Sequence, residues 1–195
     1  MSKSRTRNAP ETRAAILEAA RQRFASEGFD ASLSSIVTDA GITKGALFHH
    51  FENKQALYLE VWNNLQTEMA RDTQQVAIAS RSTDDPYKAI LAGCRRYLEW
   101  TTRTDFQRIV LIEGRGVLGM TEWMSNERDV GREVVRSAIG YLVQRGLIAD
   151  GRASTVSSIV QGALHGAGLA LTRNVEGVTV DSICDALERM LRQMR

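Results

Sequence analysis

Proline is scarce in this sequence, and so is any pattern typical of a β-sheet. The 195 residues include two prolines, Pro10 and Pro86, and a long stretch with helical periodicity follows each of them. Proline fits the first turn of a helix, because its missing N–H has no partner there in any case. β-Branched residues do not alternate with polar ones, and no Asn-Gly hairpin signal occurs. The sequence therefore predicts an all-α fold.

Cysteines and long apolar runs are equally sparse. Cys94 and Cys184 lie far apart without C-x-x-C spacing, so we expect reduced core residues and neither a metal site nor a redox pair. No apolar run approaches the roughly 20 residues of a membrane span. The polar N-terminus leads into no apolar segment typical of a signal peptide. We expect a cytoplasmic protein that needs no cofactor and does not bind a membrane.

The charge balance is also small, but its distribution is uneven. The formal net charge is +2, and Lys3, Arg5 and Arg7 lie within the first eight residues without an acidic neighbour. Residues 1–9 therefore form a short basic arm. Beside a DNA-binding unit such an arm attracts phosphates, and elsewhere it merely keeps the terminus solvated.

Helical periodicity and capping residues divide the chain into about nine helices. The first runs from about Pro10 to Glu27 with Asn8 as its N-cap, and a fourth, long helix follows the cap Asn53 and reaches about residues 76–80. Three glycines predict a break or kink in the middle of the later part, namely Gly114, Gly116 and Gly119. Later helices are expected at about 86–102, 105–118, 121–146, 152–173 and 179–194.

The first three helices have the features of a helix-turn-helix unit. Ser32 and Thr43 cap two short helices, and Ala40 and Gly41 allow the close crossing and tight turn between them. We expect this helix-turn-helix unit to span residues 10–55 and a second helical domain to span 56–195. The long fourth helix would join the two without a flexible linker.

The run from Thr12 to Trp62 resembles the N-terminal domain of TetR-family transcriptional regulators. The resemblance rests on the first helix with its Ile-x-x-Ala-Ala-x-x-x-Phe pattern and on Gly28-Phe29. It continues through the turn Ile36–Gly45 and the block Leu47–Leu57. These spaced features cover about a quarter of the chain. The rest matches the family only in being helical and of the expected length.

The resemblance implies DNA-binding roles for residues on and around the third helix. Helix starts would bind phosphate through hydroxyl and backbone N–H groups, and a lysine in the major groove would donate to guanine O6 or N7. The implied residues are Ser32, Ser34, Thr43, Lys44, Gly45, Ala46, Phe48, His49, His50 and Lys54. Of these, Ser34, Lys44, Gly45 and Ala46 would face the groove, and Thr43, His50 and Lys54 would approach the backbone.

Three of these positions allow another interpretation. Phe48 stands where the family commonly has tyrosine, so it lacks a hydroxyl for phosphate and is either a packing residue or a groove contact. His49 and His50 are two potential metal ligands. Neighbouring residues in a helix point about 100° apart, and no cysteine or carboxylate completes a metal site, so we do not expect one.

A stripe of small residues near the C-terminus predicts a close helix–helix contact. Gly162, Gly166 and Ala170 recur every four residues, a spacing that suits either packing within one subunit or a two-fold dimer interface. The family implies that the last two helices form a four-helix bundle with their partners. The predicted interface consists of Ile159, Gly162, Ala163, Gly166, Ala167, Ala170, Ile183, Leu187 and Met190.

Aromatic and apolar residues in the middle of the chain suit a small-molecule cavity, although they equally suit an ordinary core. The predicted lining is Trp62, Leu65, Met69, Tyr97, Trp100, Thr101, Phe106, Ile109, Val110, Glu113 and Trp123. Glu113, among hydrophobic neighbours, either pairs with Arg115 or Arg96 or recognises a cationic or hydroxylated ligand.

Taken together, the resemblance implies a homodimeric repressor that leaves a palindromic double-stranded DNA operator when a small molecule binds. One alternative keeps the helix-turn-helix unit and makes the C-terminal domain a protein-interaction or purely dimerising module. A helical enzyme is the other alternative, but His165 is the one histidine outside the first 50 residues and no nucleophile supports it.

Overall fold

Every regular element in the described residues is helical, as the sequence predicts. The structure is a computed structural model that describes residues 8–119 and 133–194. The basic arm at Lys3, Arg5 and Arg7 and the predicted cavity residue Trp123 lie outside these residues. The helices of the N-terminal half are α1 (Ala9–Glu27), α2 (Leu33–Ala40), α3 (Lys44–His50) and α4 (Lys54–Ala79).

Five further helices complete the described chain. They are α5 (Tyr87–Thr101), α6 (residues 104–118), α7 (described over residues 133–144), α8 (Ala153–Thr172) and α9 (Val180–Gln193). Helix α6 is a succession of three segments, Thr104–Phe106, Gln107–Glu113 and Gly114–Leu118, of which the middle one is a π-helix. No helix in the described ranges is long and apolar enough to cross a membrane.

The predicted N-caps hold the starts of the first four helices. Asn8, Ser32, Thr43 and Asn53 each accept a hydrogen bond from the backbone N–H three residues later, at 2.8–3.2 Å. Such a bond satisfies one of the free N–H groups at a helix start. The boundaries of these helices therefore follow from local capping chemistry.

Two clusters of buried side chains form the interior. The first core lies between α1, α2, α3, α4 and α6 and is joined by Trp100 of α5; its largest members include Phe24, Tyr58, Trp62 and Phe106. The second core lies between α5, α7, α8 and α9 and includes Leu98, Leu142, Leu164 and Leu187. Helix α6 therefore packs chiefly with the helix-turn-helix unit.

Of the three glycines at which the sequence predicts a break or kink, Gly119 ends α6, whereas Gly114 and Gly116 do not interrupt it. The helix continues through Gly114 and Gly116 and ends at Gly119, whose φ of +79° suits glycine. Gly114 is needed for packing, because a β-carbon there would lie 2.7 Å from Nε1 of Trp62. A further irregularity lies just upstream, in the π-helical segment.

Candidate functional site

The turn between α2 and α3 has the geometry of a helix-turn-helix. Gly41 adopts the left-handed conformation, with φ +66° and ψ +39°, and the N–H of Ile42 donates to the carbonyl of Val37 at 3.0 Å. Leu47 is fully buried and Phe51 nearly so. These two anchors fix α3 against the first core and leave its other faces outside.

The residues predicted to bind DNA lie on α3 and at the starts of α2 and α4, and none is buried. Three are half-buried, namely Ala46, His50 and Lys54. The remainder are exposed: Ser32, Ser34, Thr43, Lys44, Gly45, Phe48 and His49. The surface around α3 is therefore open to a partner, with Lys44 at the N-terminal end of the helix.

Two side chains of this surface have surroundings that the sequence did not reveal. Phe48 is 44% exposed, which does not support a packing role. The ammonium of Lys54 lies 4.7 Å from the ring centroid of Phe29, within the range of a cation–π interaction. The α1–α2 connection thus positions the lysine that was expected to reach phosphate.

A cavity of about 120 Å³ lies between α4, α5, α6, α7 and α8. Most of its wall is apolar, and polar groups are contributed by Gln66, Thr73, Gln161 and His165. Arg81 lines the wall as well, with its guanidinium 5.3 Å from the ring centroid of Tyr141. No carboxylate is found among the described lining residues.

The structure brings together only part of the predicted cavity lining. Met69, Tyr97, Phe106 and Val110 line the cavity. The others do not: Trp62, Leu65, Trp100, Thr101 and Ile109 are buried in contacts between helices. The prediction failed for these residues because hydrophobicity alone does not distinguish a core position from a cavity wall.

Several cavity residues were missed that a closer inspection of α4 could have found. Gln66 and Thr73 are both buried and lie three residues before and four residues after Met69. This spacing puts them on the same face of the helix. Buried polar residues on an otherwise apolar helical face are the signal that was available.

The prediction for Glu113 was wrong, both as a cavity residue and in its partner. Its Oε1 accepts a hydrogen bond from Nε of Arg108 at 2.9 Å, and its Oε2 accepts one from the backbone N–H of Phe29 at 2.7 Å. Arg96, a predicted partner, pairs instead with Asp72 and Glu99. The reason is the π-helix, in which residues five apart become neighbours and Arg108 can reach Glu113.

The small-residue stripe of α8 lies largely on the surface. Ile159, Gly162 and Gly166 are exposed, and a β-carbon on either glycine would meet no atom within 4 Å. Five others are half-buried, Ala163, Ala167, Ala170, Ile183 and Met190. Leu187 is buried in the second core. A groove between α8 and α9 is lined by Ala163, Ile183, Leu187 and Met190.

Comparisons with known proteins agree with this architecture. A family model described as "Bacterial regulatory proteins, tetR family" matches residues 16–61. A second, described as "Tetracyclin repressor-like, C-terminal domain", matches residues 87–194. The crystal structure of a TetR-family transcriptional regulator from Pectobacterium atrosepticum is 30% identical, covers 97% of each chain and has a TM-score of 0.79.

Two curated relatives match over part of the chain. The transcriptional regulator AcrR of Shigella flexneri is 27% identical over 112 residues, which are 57% of this chain and 51% of the relative. The regulator TtgR of Pseudomonas putida is 38% identical over 93 residues, or 46% of this chain and 40% of the relative. The matched part therefore spans about half the length of these relatives or less.

Proposed function

The chain belongs to the TetR family of transcriptional regulators, and on this basis we propose that it is a homodimeric repressor released from a palindromic operator by a small molecule. The observation that carries the proposal is the surface around α3, where Lys44 is exposed and Leu47 and Phe51 anchor the helix. The relatives AcrR and TtgR are both described as helix-turn-helix transcriptional regulators. In a dimer, two such surfaces would lie about 34–36 Å apart, or a multiple of it, to read two half-sites.

Dimerisation is assigned to the outer face of α8 and to α9. Exposed glycines let a second helix approach closely, and the half-buried Ile183 and Met190 supply apolar area beside them. Pairing of this face with a second copy would bury it around a two-fold axis. Leu187 belongs to the second core and also lines the groove between these two helices.

The cavity between α4 and α8 is assigned to the effector. Its apolar wall, interrupted by amide and hydroxyl groups, suits an apolar molecule with a few hydrogen-bonding atoms. A cation buried there would meet no carboxylate from the described residues, at a large cost in free energy. We therefore propose an effector without positive charge. The presence of this cavity favours a ligand-responsive function over a purely dimerising domain, and His165 is one of its wall residues.

The test begins with the selection of high-affinity duplexes from random DNA by the purified full chain. Lys44→Ala should weaken binding to the selected duplex by about 1–3 kcal/mol and relax its sequence preference, because a groove contact is lost. Lys54→Ala should weaken all duplexes alike and flatten the salt dependence, as expected for a phosphate contact.

Lys88→Ala is the matched control, since Lys88 is an exposed lysine on α5, outside the helix-turn-helix unit. Its affinity for the selected duplex should equal that of the unaltered chain. Selection of no preferred duplex, or an equal effect of Lys44→Ala and Lys88→Ala, would contradict the proposed DNA-binding surface.

A further inference from the structure

Helix α6 is shared by the cavity and by a contact with the helix-turn-helix unit. Phe106, Val110 and Leu111 of α6 line the cavity. Within the same stretch, Arg108 and Glu113 reach the C-terminal end of α1 and the connection that follows it. A displacement of α6 would therefore change both the cavity wall and the contact with the helix-turn-helix unit.

The contact is a closed set of directional bonds, which we call the α1–α6 clamp (Ser26, Phe29, Arg108 and Glu113). Glu113 accepts from the backbone N–H of Phe29 at 2.7 Å and from Arg108 at 2.9 Å. Nη1 of Arg108 in turn donates to the carbonyl of Ser26 at 2.6 Å. The side chain of Glu113 is 25% exposed, so its bonds are only partly screened by solvent. Hydrogen bonds to a charged group in such a setting are among the stronger ones in proteins.

The backbone between α1 and α2 is shaped to receive this carboxylate. Gly28 has a φ of +76°, and a β-carbon at this residue would overlap Oε1 of Glu113. Glycine is therefore required twice, for its backbone conformation and for the approach of Glu113. The clamp and the turn that leads into α2 fit each other as one unit.

The segment of α6 that carries the clamp has features expected of a helix that can change between π and α winding. It is π-helical, a winding that is uncommon and is often found at functional positions. Tyr58 of α4 donates to the carbonyl of Ile109 in its middle at 2.7 Å. Nε1 of Trp62, packed against Gly114, is buried without a hydrogen-bond partner among the described atoms. A change from π to α winding would rotate Glu113 relative to Phe106 and Val110.

We propose that the α1–α6 clamp couples occupancy of the cavity to the position of the helix-turn-helix unit, with Glu113 as the positioning residue. An occupant that displaces Phe106 or Val110 shifts or rewinds α6 and withdraws the carboxylate from the N–H of Phe29. The α1–α2 connection, and with it the ring beneath Lys54, is then free to move. This inference rests on the proposed release by a small molecule and names the residues that transmit it.

The experiment is a double-mutant cycle on operator affinity, with the duplex selected by the full chain. Occupancy is imitated by Ala138→Trp, which adds a large side chain to the cavity wall on α7, and separately by the uncharged dye N-phenyl-1-naphthylamine. Each is applied to the unaltered clamp and to Glu113→Gln. The ratio of affinities within each background cancels any effect of Glu113→Gln on DNA binding itself.

We expect each occupant to weaken operator binding about tenfold with the clamp intact and by less than about twofold in Glu113→Gln. The matched control is Glu60→Gln, because Glu60 pairs with Arg13 at 2.9 Å and so joins α1 to α4 outside the α1–α6 clamp. In this control the tenfold effect should remain. Thermal unfolding of each variant separates loss of coupling from loss of structure.

The possible failures are distinguishable. If neither occupant changes operator affinity with the clamp intact, the proposed release fails and the coupling fails with it. If the occupants act by the same factor in Glu113→Gln as in the unaltered chain, the release stands and the coupling role of Glu113 is overturned. Should Glu113→Gln not fold, Arg108→Gln removes the other partner and gives the same comparison.

Discussion

The two cores of the molecule are joined to their surroundings by different means. The first core contains the helix-turn-helix unit together with Phe106, Ile109 and Val110 of α6, and charged pairs lie around it. Arg21 of α1, for instance, bonds to Asp105 of α6 and to Glu68 of α4. The second core also has a charged pair beside it, Asp85 with Arg192, but along α8 it is bordered by small, exposed residues. The ion pairs around the first core are directional contacts that can break and re-form when a helix moves. The small residues of α8 suit close packing against another subunit.

The two cores also show which helices form one packing unit. The cores do not separate residues 10–55 from the remainder, because α6 contributes to the same interior as α1. Burial of a shared apolar cluster makes the helices that share it cooperative. Movement of α6 is therefore transmitted to the helix-turn-helix unit more directly than movement of α8 or α9.

The largest expected effect tests the first core itself. Phe24 is fully buried, with its ring centroid 5.0 Å from that of Tyr58 and 6.4 Å from that of Phe29. Phe24→Ala should lower the free energy of unfolding by about 3–5 kcal/mol, because it removes a large apolar side chain and leaves a cavity. Urea denaturation at one fixed protein concentration measures this loss.

The control for Phe24 is the same substitution on the surface of α3. Phe48→Ala should change the free energy of unfolding by no more than about 0.5 kcal/mol, because the ring is 44% exposed. A similar loss of stability in both variants would mean that the first core does not carry the helix-turn-helix unit.

Gly28 and Gly41 allow a comparison between a turn that is packed against α6 and one that is open to solvent. Gly28 and Gly41 both have a positive φ, but a β-carbon at Gly41 would meet no atom within 4 Å. Gly41→Ala should therefore cost only the backbone strain, about 1–2 kcal/mol. Gly28→Ala should cost at least about 1.5–3 kcal/mol more, because it displaces the Glu113 carboxylate from the Phe29 N–H and because the ψ of −162° at Gly28 strains any residue other than glycine.

The difference between the two glycine variants is measured by the same urea denaturation. In a Glu113→Ala background, where no carboxylate stands in the way, the cost of Gly28→Ala should fall by about 1–3 kcal/mol, while the strain of its backbone, with a ψ of −162°, remains. An unchanged difference in this background would show that the clamp does not contribute to the turn.

The sequence predicted those features of the fold that depend on neighbours in the chain. The caps Asn8, Ser32, Thr43 and Asn53 and the turn at Gly41 are local, and each was found as expected. The family resemblance added roles for residues such as Lys44, and these remain predictions until DNA binding is measured.

Features that depend on how a helix is wound, or on which of its faces contacts other helices, could not be predicted from the sequence. No local signal in the sequence indicates the π-helix at Gln107–Glu113. In an α-helix Arg108 and Glu113, which are five residues apart, would not be neighbours. The cavity wall was predicted in part because Met69 and Phe106 face it, whereas Trp62 and Leu65, equally apolar, face the first core. Which apolar stripe borders a void is decided by the packing of five helices at once.

The smallest expected effect concerns the ionic boundary of the first core and its dependence on pH. Burial raises the pKa of Asp105, but hydrogen bonds from Arg21, Arg103 and the N–H of Phe106 outweigh it, so the pKa is lowered overall. A carboxylate with a lowered pKa stabilises the folded state above its unfolded value of about 3.9 and loses this contribution as the pH falls through its folded value. Asp105→Asn should therefore be about 1 kcal/mol less stable than the unaltered chain at pH 7.

Urea denaturation from pH 7 to pH 3 follows this difference between the two proteins. This difference should stay constant down to about pH 4 and shrink only below it, since the unaltered Asp105 is then protonated in the unfolded state and progressively in the folded state.

Asp85→Asn is the counterpart at the second core, where Asp85 pairs with Arg192 at 2.6 Å and its pKa is likewise lowered, chiefly by that hydrogen bond. Asp105→Asn should weaken the release of operator by a cavity occupant, because Asp105 joins α6 to α1, while Asp85→Asn should leave it unchanged. Equal release in both variants would place the coupling in the α1–α6 clamp alone and separate it from the rest of the ionic boundary.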